Sequence, residues 1–89
     1  MYTVRWERSA LDELAAVWME GDSSMRQAIT TAARRIDQRL GPNPYEGSES
    51  RPRNRRILFV PPLGLTFRVE VDGRTVSVLH VWRYQTSGT

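Results

Sequence analysis

The chain has 89 residues and a net charge of +3, and all 13 of its basic residues are arginine. A chain of this length forms one small domain, residues 1–89, in which an open face or shallow groove is the expected kind of site. The absence of cysteine excludes disulfides and thiolate zinc sites, and the absence of lysine excludes a lysine base. No apolar run approaches the ~20 residues of a membrane span and no signal-peptide pattern is present, so we expect a cytoplasmic protein.

The first half of the chain predicts a strand followed by two helices. Residues 2–6 alternate apolar and polar side chains with a period of two, which is typical of a short strand. Ser9 is the predicted N-cap of a first helix, and Asp22 or Ser23 is that of a longer second helix. Gly41 is predicted to follow the last turn of the second helix, because glycine suits the residue after a helix and a proline comes next.

The second half predicts three antiparallel strands after a polar connection over residues 42–52. The strands are predicted at 53–60, 65–71 and 75–83, and a polar tail follows. A proline turn separates the first two strands, and Asp72-Gly73 is a strong hairpin signal between the last two. The order is β-α-α-β-β-β, which indicates an α+β fold with a two-helix hairpin on one face of a mainly antiparallel sheet.

The hairpin register predicts which side chains share the sheet face that the helices leave open. If Asp72-Gly73 are the two loop residues, directly opposed residues of the flanking strands point to the same side. Four arginines are then predicted on the open face: Arg53, Arg55, Arg68 and Arg83. The only histidine, His80, falls on the core-facing side together with Trp82, and we interpret it as a hydrogen-bonded structural residue.

The densest positive cluster comprises Arg51, Arg53, Arg55 and Arg56, which we take as candidate RNA-binding residues. Guanidinium groups grip phosphates, and the nearby aromatic residues Phe59 and Tyr84 are suited to stacking on bases. The alternative is that these arginines are solvated and protect a sheet edge. Glu70 is expected almost opposite Arg55, where it would neutralise the arginine.

The two helices each offer one large apolar residue in the middle of their predicted buried stripes. These residues are Trp18 in the first helix and Ile36 in the second. Both are expected in the core. Arg26 lies on the opposite side of the second helix and is interpreted as solvated surface.

The order of elements and four segments of the sequence resemble the RelE/ParE toxin superfamily over nearly the whole chain. The segments are YTVRW, SALDELAAVW, AARRIDQRLGPNP and RRILFVPPLGLTFRVEVDGRTVSVLHVW. GSESR and ILFVPPLG look like a little-characterised branch of that superfamily. The resemblance implies the toxin of a type II toxin–antitoxin pair, with roles that include plasmid stabilization. It implies an acidic antitoxin encoded nearby as partner, and no cofactor or metal.

The resemblance also implies candidate catalytic residues. In the ribosome-dependent nucleases of this family, basic residues of the sheet and a late tyrosine cut mRNA, and the similar positions here are Arg68, Arg83 and Tyr84. Three hypotheses follow. The first is a metal-independent endoribonuclease (an mRNA interferase) acting on ribosome-bound mRNA. The second is a ParE-like inhibitor of DNA gyrase without a catalytic centre, and the third is a non-toxic RNA-binding relative.

Overall fold

The computed structural model describes residues 1–84, so most of the predicted polar tail lies outside the described residues. The helices are α1 (Arg8–Glu20) and α2 (Ser23–Leu40), and the strands are β1 (Thr3–Trp6), β2 (Glu49–Arg51), β3 (Arg55–Val60), β4 (Leu63–Glu70) and β5 (Thr75–Arg83). The sheet order is β1-β5-β4-β3-β2, with β1 parallel to β5 and the other pairs antiparallel. The predicted α+β fold is confirmed, and β2 is an additional edge strand within the segment predicted as a loop.

Both helices contribute to one hydrophobic core on a single face of the sheet. The buried helix residues are Ala10, Ile29, Ala32, Ile36 and Leu40, and the buried strand residues are Leu58, Val60, Leu63, Leu65, Phe67, Val69, Val76, Val78 and Val81. Phe67 is the largest fully buried side chain among them. Neither helix within residues 1–84 is long and apolar enough to cross a membrane.

The helix ends agree with the sequence predictions at one position and differ at two. Asp22 is the N-cap of α2, and its carboxylate accepts a hydrogen bond from the backbone N–H of Met25 at 2.8 Å, as predicted. Gly41 is the C-cap of α2 but keeps a helical conformation, with φ −60° and ψ −56°. The prediction for Ser9 is wrong, because the N-cap of α1 is Glu7 and Ser9 lies inside the helix.

α1 covers an edge of β5 that has no neighbouring strand. β1 ends level with Val78, so the following part of β5 lacks a partner on that side. Ser9 Oγ donates a hydrogen bond to the carbonyl oxygen of Leu79 at 2.8 Å, and the Glu13 carboxylate accepts one from the N–H of Val81 at 3.1 Å. Residues four apart lie on the same side of a helix. Ser9 and Glu13 therefore satisfy backbone groups that would otherwise lack a protein partner.

The buried stripe of α1 differs from the predicted one. Ala10 is fully buried, and Leu14 and Val17 pack against the core, so these three residues form the inward stripe. Trp18 is consequently rotated outward and is 40% exposed, and the prediction that it lies in the core is wrong.

Arg26 connects the two helices and is not free surface, contrary to the sequence interpretation. Its guanidinium carbon lies 4.5 Å from the centre of the Trp18 ring, within cation–π distance. It also donates to the carbonyl oxygens of Trp18 at 2.9 Å and Met19 at 3.0 Å. Arg26 therefore supplies donors and a positive charge to the C-terminal end of α1, where both are favourable.

We expect Ile36→Ala to destabilise the fold much more than Trp18→Ala. Ile36 is fully buried, and removing its side chain leaves a cavity that costs about 2–5 kcal/mol. Trp18→Ala removes a partly exposed ring and a cation–π contact, for which about 1 kcal/mol is expected. Urea denaturation followed by circular dichroism measures both. An equal or larger loss for Trp18→Ala would contradict the assignment of the α1 stripe.

Candidate nucleic-acid interface

The sheet face opposite the helices, here called the open face, carries a row of arginines across the sheet. Because directly paired residues point to the same side, the registers Arg51–Arg55, Arg68–Ser77 and Arg5–Ser77 align these side chains. Continuing the β3–β4 register one residue beyond its last pair brings Arg55 level with Arg68. We call Arg5, Arg51, Arg55 and Arg68 the arginine row. Strands lie about 4.8 Å apart, so a row across five of them spans about 19 Å.

Most of the arginine row lacks a carboxylate partner in the part of the chain that the structure describes. Within residues 1–84, one arginine forms an ion pair with a carboxylate, the exposed pair of Arg51 with Glu49 at 3.4 Å, and the carboxylate of Glu13 contacts the imidazole of His80. The predicted neutralisation of Arg55 by Glu70 is wrong, because Glu70 lies further along β4, level with Thr75. Arg55 instead neighbours another arginine, and adjacent like charges disfavour each other until an anion binds.

Two of the predicted RNA-binding arginines do not lie on the open face. Arg53 is in the turn between β2 and β3, with φ of 65°, and not in a strand. Arg56 points to the helix side, where it donates to Ser48 Oγ at 2.7 Å and to the carbonyl oxygen of Ser48 at 3.0 Å. Its guanidinium carbon is also 5.1 Å from the centre of the Tyr45 ring. Arg56 therefore fastens the connection between α2 and β2.

β5 contains one extra residue relative to β4, and this bulge changes the facing of every residue that follows it. Phe67 pairs with Val78 as the hairpin register predicts. Thr66, the residue before Phe67 on β4, pairs with His80, so Leu79 has no opposite residue. An extra residue in one strand shifts the alternation of its side chains by one. A change of phase in the sequence marks the place, because apolar residues 76 and 78 are followed by apolar residues 79 and 81.

The bulge exchanges the predicted positions of His80 and Arg83. Arg83 pairs with the core residue Leu63, so it lies on the helix side and the prediction that it shares the open face is wrong. His80 and Trp82 lie on the open face, contrary to the predicted core-facing position. The catalytic role of Arg83 was also implied by the family resemblance, and it stays a prediction. Sequence reasoning missed His80 because its parity count assumed an unbroken strand.

His80 is held by the carboxylate of Glu13, which reaches it from α1. Nδ1 of the imidazole lies 3.2 Å from Oε2 and 3.3 Å from Oε1, and the side chains of His80 and Glu13 are 50% and 42% exposed. Because Nδ1 faces Glu13, Nε2 lies on the far side of the ring. Opposite His80 on β4 is Thr66, whose buried Oγ1 has no hydrogen-bond partner within residues 1–84. The row next to the arginine row thus presents a half-exposed imidazole beside a buried hydroxyl.

Three aromatic residues, Phe59, Trp82 and Tyr84, form an aromatic cluster at the other end of the open face. The ring of Phe59 meets Trp82 edge-on at 6.2 Å and Tyr84 at 5.0 Å, and Phe59 is 46% exposed. Trp82 lies directly over Gly64, where a Cβ atom would come within 2.7 Å of the indole ring. Gly64 and Arg68 are four residue steps apart along β4, a distance of about 13 Å. Two of the predicted catalytic residues, Arg68 and Tyr84, are therefore apart.

The chain is similar to solved structures of bacterial toxins, although no protein-family model and no curated protein matches its sequence. The chromosomal ParDE TA system from P. aeruginosa includes a chain with 21% identity and a TM-score of 0.76, over 96% of this chain and 98% of that one. The RelBE2 toxin–antitoxin complex from Mycobacterium tuberculosis gives 17% identity and 0.74, over 93% and 91%. The isolated E. coli RelE toxin gives 17% identity and 0.64, over 99% and 89%. The chain has the RelE/ParE toxin fold.

The resemblance predicted from the sequence is thus confirmed at the level of the RelE/ParE fold. At identities of 17–21% this likeness shows the fold alone. The placement of side chains on the open face therefore has to carry the functional argument.

We expect Gly64→Ala to displace Trp82 and disrupt the aromatic cluster. The added methyl group would lie 2.7–2.8 Å from three atoms of the indole, so the ring must move. Overpacking of this kind costs about 1–3 kcal/mol. Gly73→Ala is the matched control, because its nearest contact would be an ordinary 3.7 Å. Denaturant unfolding and near-UV circular dichroism measure the effect, and equal behaviour of the two variants would contradict the described packing of Trp82.

Proposed function

We propose that this chain is the toxin of a type II toxin–antitoxin pair and that it binds RNA through the open face of its sheet. The shared RelE/ParE fold supports the toxin assignment. The observation that carries RNA binding is the arginine row, of which Arg5, Arg55 and Arg68 have no carboxylate partner within residues 1–84. One guanidinium group can donate hydrogen bonds to two oxygens of the same phosphate, which suits arginine to binding a nucleic-acid backbone.

The aromatic cluster favours single-stranded RNA as the ligand of the open face. Unpaired bases stack on aromatic side chains, whereas bases within a duplex are not free to do so. Phe59 is exposed enough to receive a base, and it is buttressed by Trp82 and Tyr84. An RNA strand whose phosphates bind the arginine row and whose base stacks on the aromatic cluster passes His80, which lies between them on the open face. The arginine row binds phosphates and the aromatic cluster binds an unpaired base, which are the two contacts that a single-stranded RNA can make at once.

The same arrangement supports metal-independent cleavage of the RNA. Attack by a ribose 2′-hydroxyl requires a proton acceptor, a group that stabilises the phosphorane, and a proton donor to the leaving oxygen. Arg55 and Arg68 supply the positive charge for stabilisation, and His80, in the next row of the open face towards the aromatic cluster, supplies an imidazole for proton transfer. His80 lies on the open face, where the sequence analysis expected Arg83. In this proposal Tyr84 contributes to stacking and not to proton transfer.

A second candidate function is ParE-like inhibition of DNA gyrase by surface contact. The observation that favours it is an exposed apolar stripe on α1, where Leu11 is 47%, Trp18 is 40% and Met19 is 70% exposed. Exposed apolar patches of this kind are typical of protein-binding surfaces. The stripe lies on a helix, away from the arginine row, so variants can separate the two functions.

The proposed partner in the resting state is an acidic antitoxin encoded nearby. The net charge of +3 and the arginine row favour a partner of opposite charge, because complementary charge accelerates association. Salt-dependent co-purification of the chain with the products of its neighbouring genes would support this pairing.

We expect the double variant Arg55→Ala/Arg68→Ala to bind single-stranded RNA more weakly than the wild type. Each lost charge-assisted contact costs about 1.5–3 kcal/mol, and the dependence of affinity on salt should become less steep. Fluorescence anisotropy with a labelled oligoribonucleotide at several salt concentrations measures both effects. Arg34→Ala, an exposed arginine of α2, is the control. An affinity of the double variant equal to that of Arg34→Ala would remove the open face as the RNA site.

Expression of the chain alone should stop bacterial growth and leave new 5′ ends in cellular mRNA, which primer extension maps. His80→Ala should abolish these ends because it removes the proton-transfer group. Replacement of Leu11 and Met19 by serine should leave them unchanged, since both residues lie on the α1 stripe. Growth arrest without new RNA ends, relieved by the α1 replacement, would favour gyrase inhibition instead.

A further inference from the structure

We propose that Glu13 is a positioning residue that determines which nitrogen of His80 carries the proton. In the neutral imidazole it fixes the proton on Nδ1, so that Nε2 faces the open face as a proton acceptor. The control of the tautomer follows from the contacts of Glu13 alone. The catalytic consequence rests on the proposed function of the open face.

The chemistry of a carboxylate dictates this direction. An ionised carboxylate only accepts hydrogen bonds, and one ring nitrogen of a neutral imidazole donates while the other accepts. Both oxygens of Glu13 lie within 3.3 Å of Nδ1 of His80, so Nδ1 must be the nitrogen that bears the hydrogen. Its partner Nε2 is then left with a free lone pair.

The second contact of Glu13 prevents the arrangement from reversing. Oε1 also accepts a hydrogen bond from the backbone N–H of Val81 at 3.1 Å. That N–H lies beyond the bulge, on the edge of β5 that has no neighbouring strand, and it can only donate. The carboxylate is therefore anchored to the strand that carries His80.

A simple structural role would not require both contacts. Ser9, one turn earlier on α1, meets the same β5 edge through a single bond to the carbonyl oxygen of Leu79. Glu13 satisfies the backbone in the same way and in addition reaches the imidazole, which is half exposed and not part of the core. The contact with His80 therefore acts on a surface side chain that contributes little to packing.

Glu13→Gln should invert the tautomer without removing the support of β5. Glutamine has one accepting oxygen and one donating NH₂ group. The oxygen must face the N–H of Val81, because two donors would otherwise oppose each other. The NH₂ group is then turned towards His80, where it donates to Nδ1 and moves the ring proton to Nε2. The variant keeps the shape of the side chain and presents a donor in place of an acceptor to the RNA.

The test reads the tautomer directly by ¹⁵N NMR of the imidazole. His80 is the only histidine, so its two ring nitrogens give an unambiguous pair of signals. At a pH where the ring is neutral, we expect the proton on Nδ1 in the wild type and on Nε2 in Glu13→Gln. Asp12→Asn removes the neighbouring exposed carboxylate of α1 and is the matched control, for which the wild-type pattern is expected.

RNA cleavage provides the second measurement. Loss of a correctly presented proton acceptor should lower the cleavage rate of Glu13→Gln by roughly 100-fold or more. The affinity for RNA should stay within about twofold of the wild type, because the arginine row is intact. Asp12→Asn should retain both the wild-type rate and the wild-type affinity.

The outcomes separate this inference from the proposed function. A wild-type proton on Nε2, or a tautomer that is unchanged in a folded Glu13→Gln, overturns the inference, and the wild-type spectrum decides it even if the variant does not fold. An inverted tautomer with an undiminished cleavage rate overturns the catalytic role of Glu13. An inverted tautomer in a protein whose wild type cuts no RNA overturns the nuclease function and leaves the tautomer control established.

Discussion

The bulge at Leu79 is the constraint on which both faces of the end of β5 depend. Because of this one extra residue, Val81 faces inward and completes the core, whereas His80 and Trp82 face outward. An unbroken strand would bury a histidine and a tryptophan and expose the valine. The apolar burial of Val81 therefore stabilises the same register that presents His80. Core packing and the composition of the open face are linked through a single backbone irregularity.

The early end of β1 leaves backbone groups of β5 without a strand partner, and α1 satisfies them. β1 is too short to pair with β5 beyond the bulge, so the backbone there would be open to water or to another chain. Ser9 and Glu13 satisfy it from one side of α1. The helix thus reaches the edge of the sheet for a structural reason, and in doing so it brings a carboxylate to the histidine. His80 is thus positioned by Glu13, a residue whose hydrogen bond to Val81 also stabilises the edge of the sheet.

The sequence predicted the order of elements, the helix-covered face and the Asp72-Gly73 register, because periodicity and turn residues report on local structure. It failed where one residue altered the phase: Arg83 and His80 exchanged faces, and Trp18 turned out of the core. When side chains are assigned to faces by counting alternate residues, one extra residue reverses the predicted face of every later residue in the strand. Side chains that act across elements, such as Glu13 on His80, leave no periodic signal at all.

The arginine row places like charges side by side, and this arrangement has a physical consequence for any ligand. Arg55 and Arg68 are level on adjacent strands, so each raises the energy of the other until a negative charge lies between them. An anion that bridges them gains both its own contacts and the relief of that repulsion. The relief of repulsion is available to any bridging anion, whether it is an RNA phosphate or a carboxylate of an acidic protein. If the open face binds RNA as proposed, an acidic partner that covers the arginine row competes with RNA for one surface and needs no change in the fold to do so.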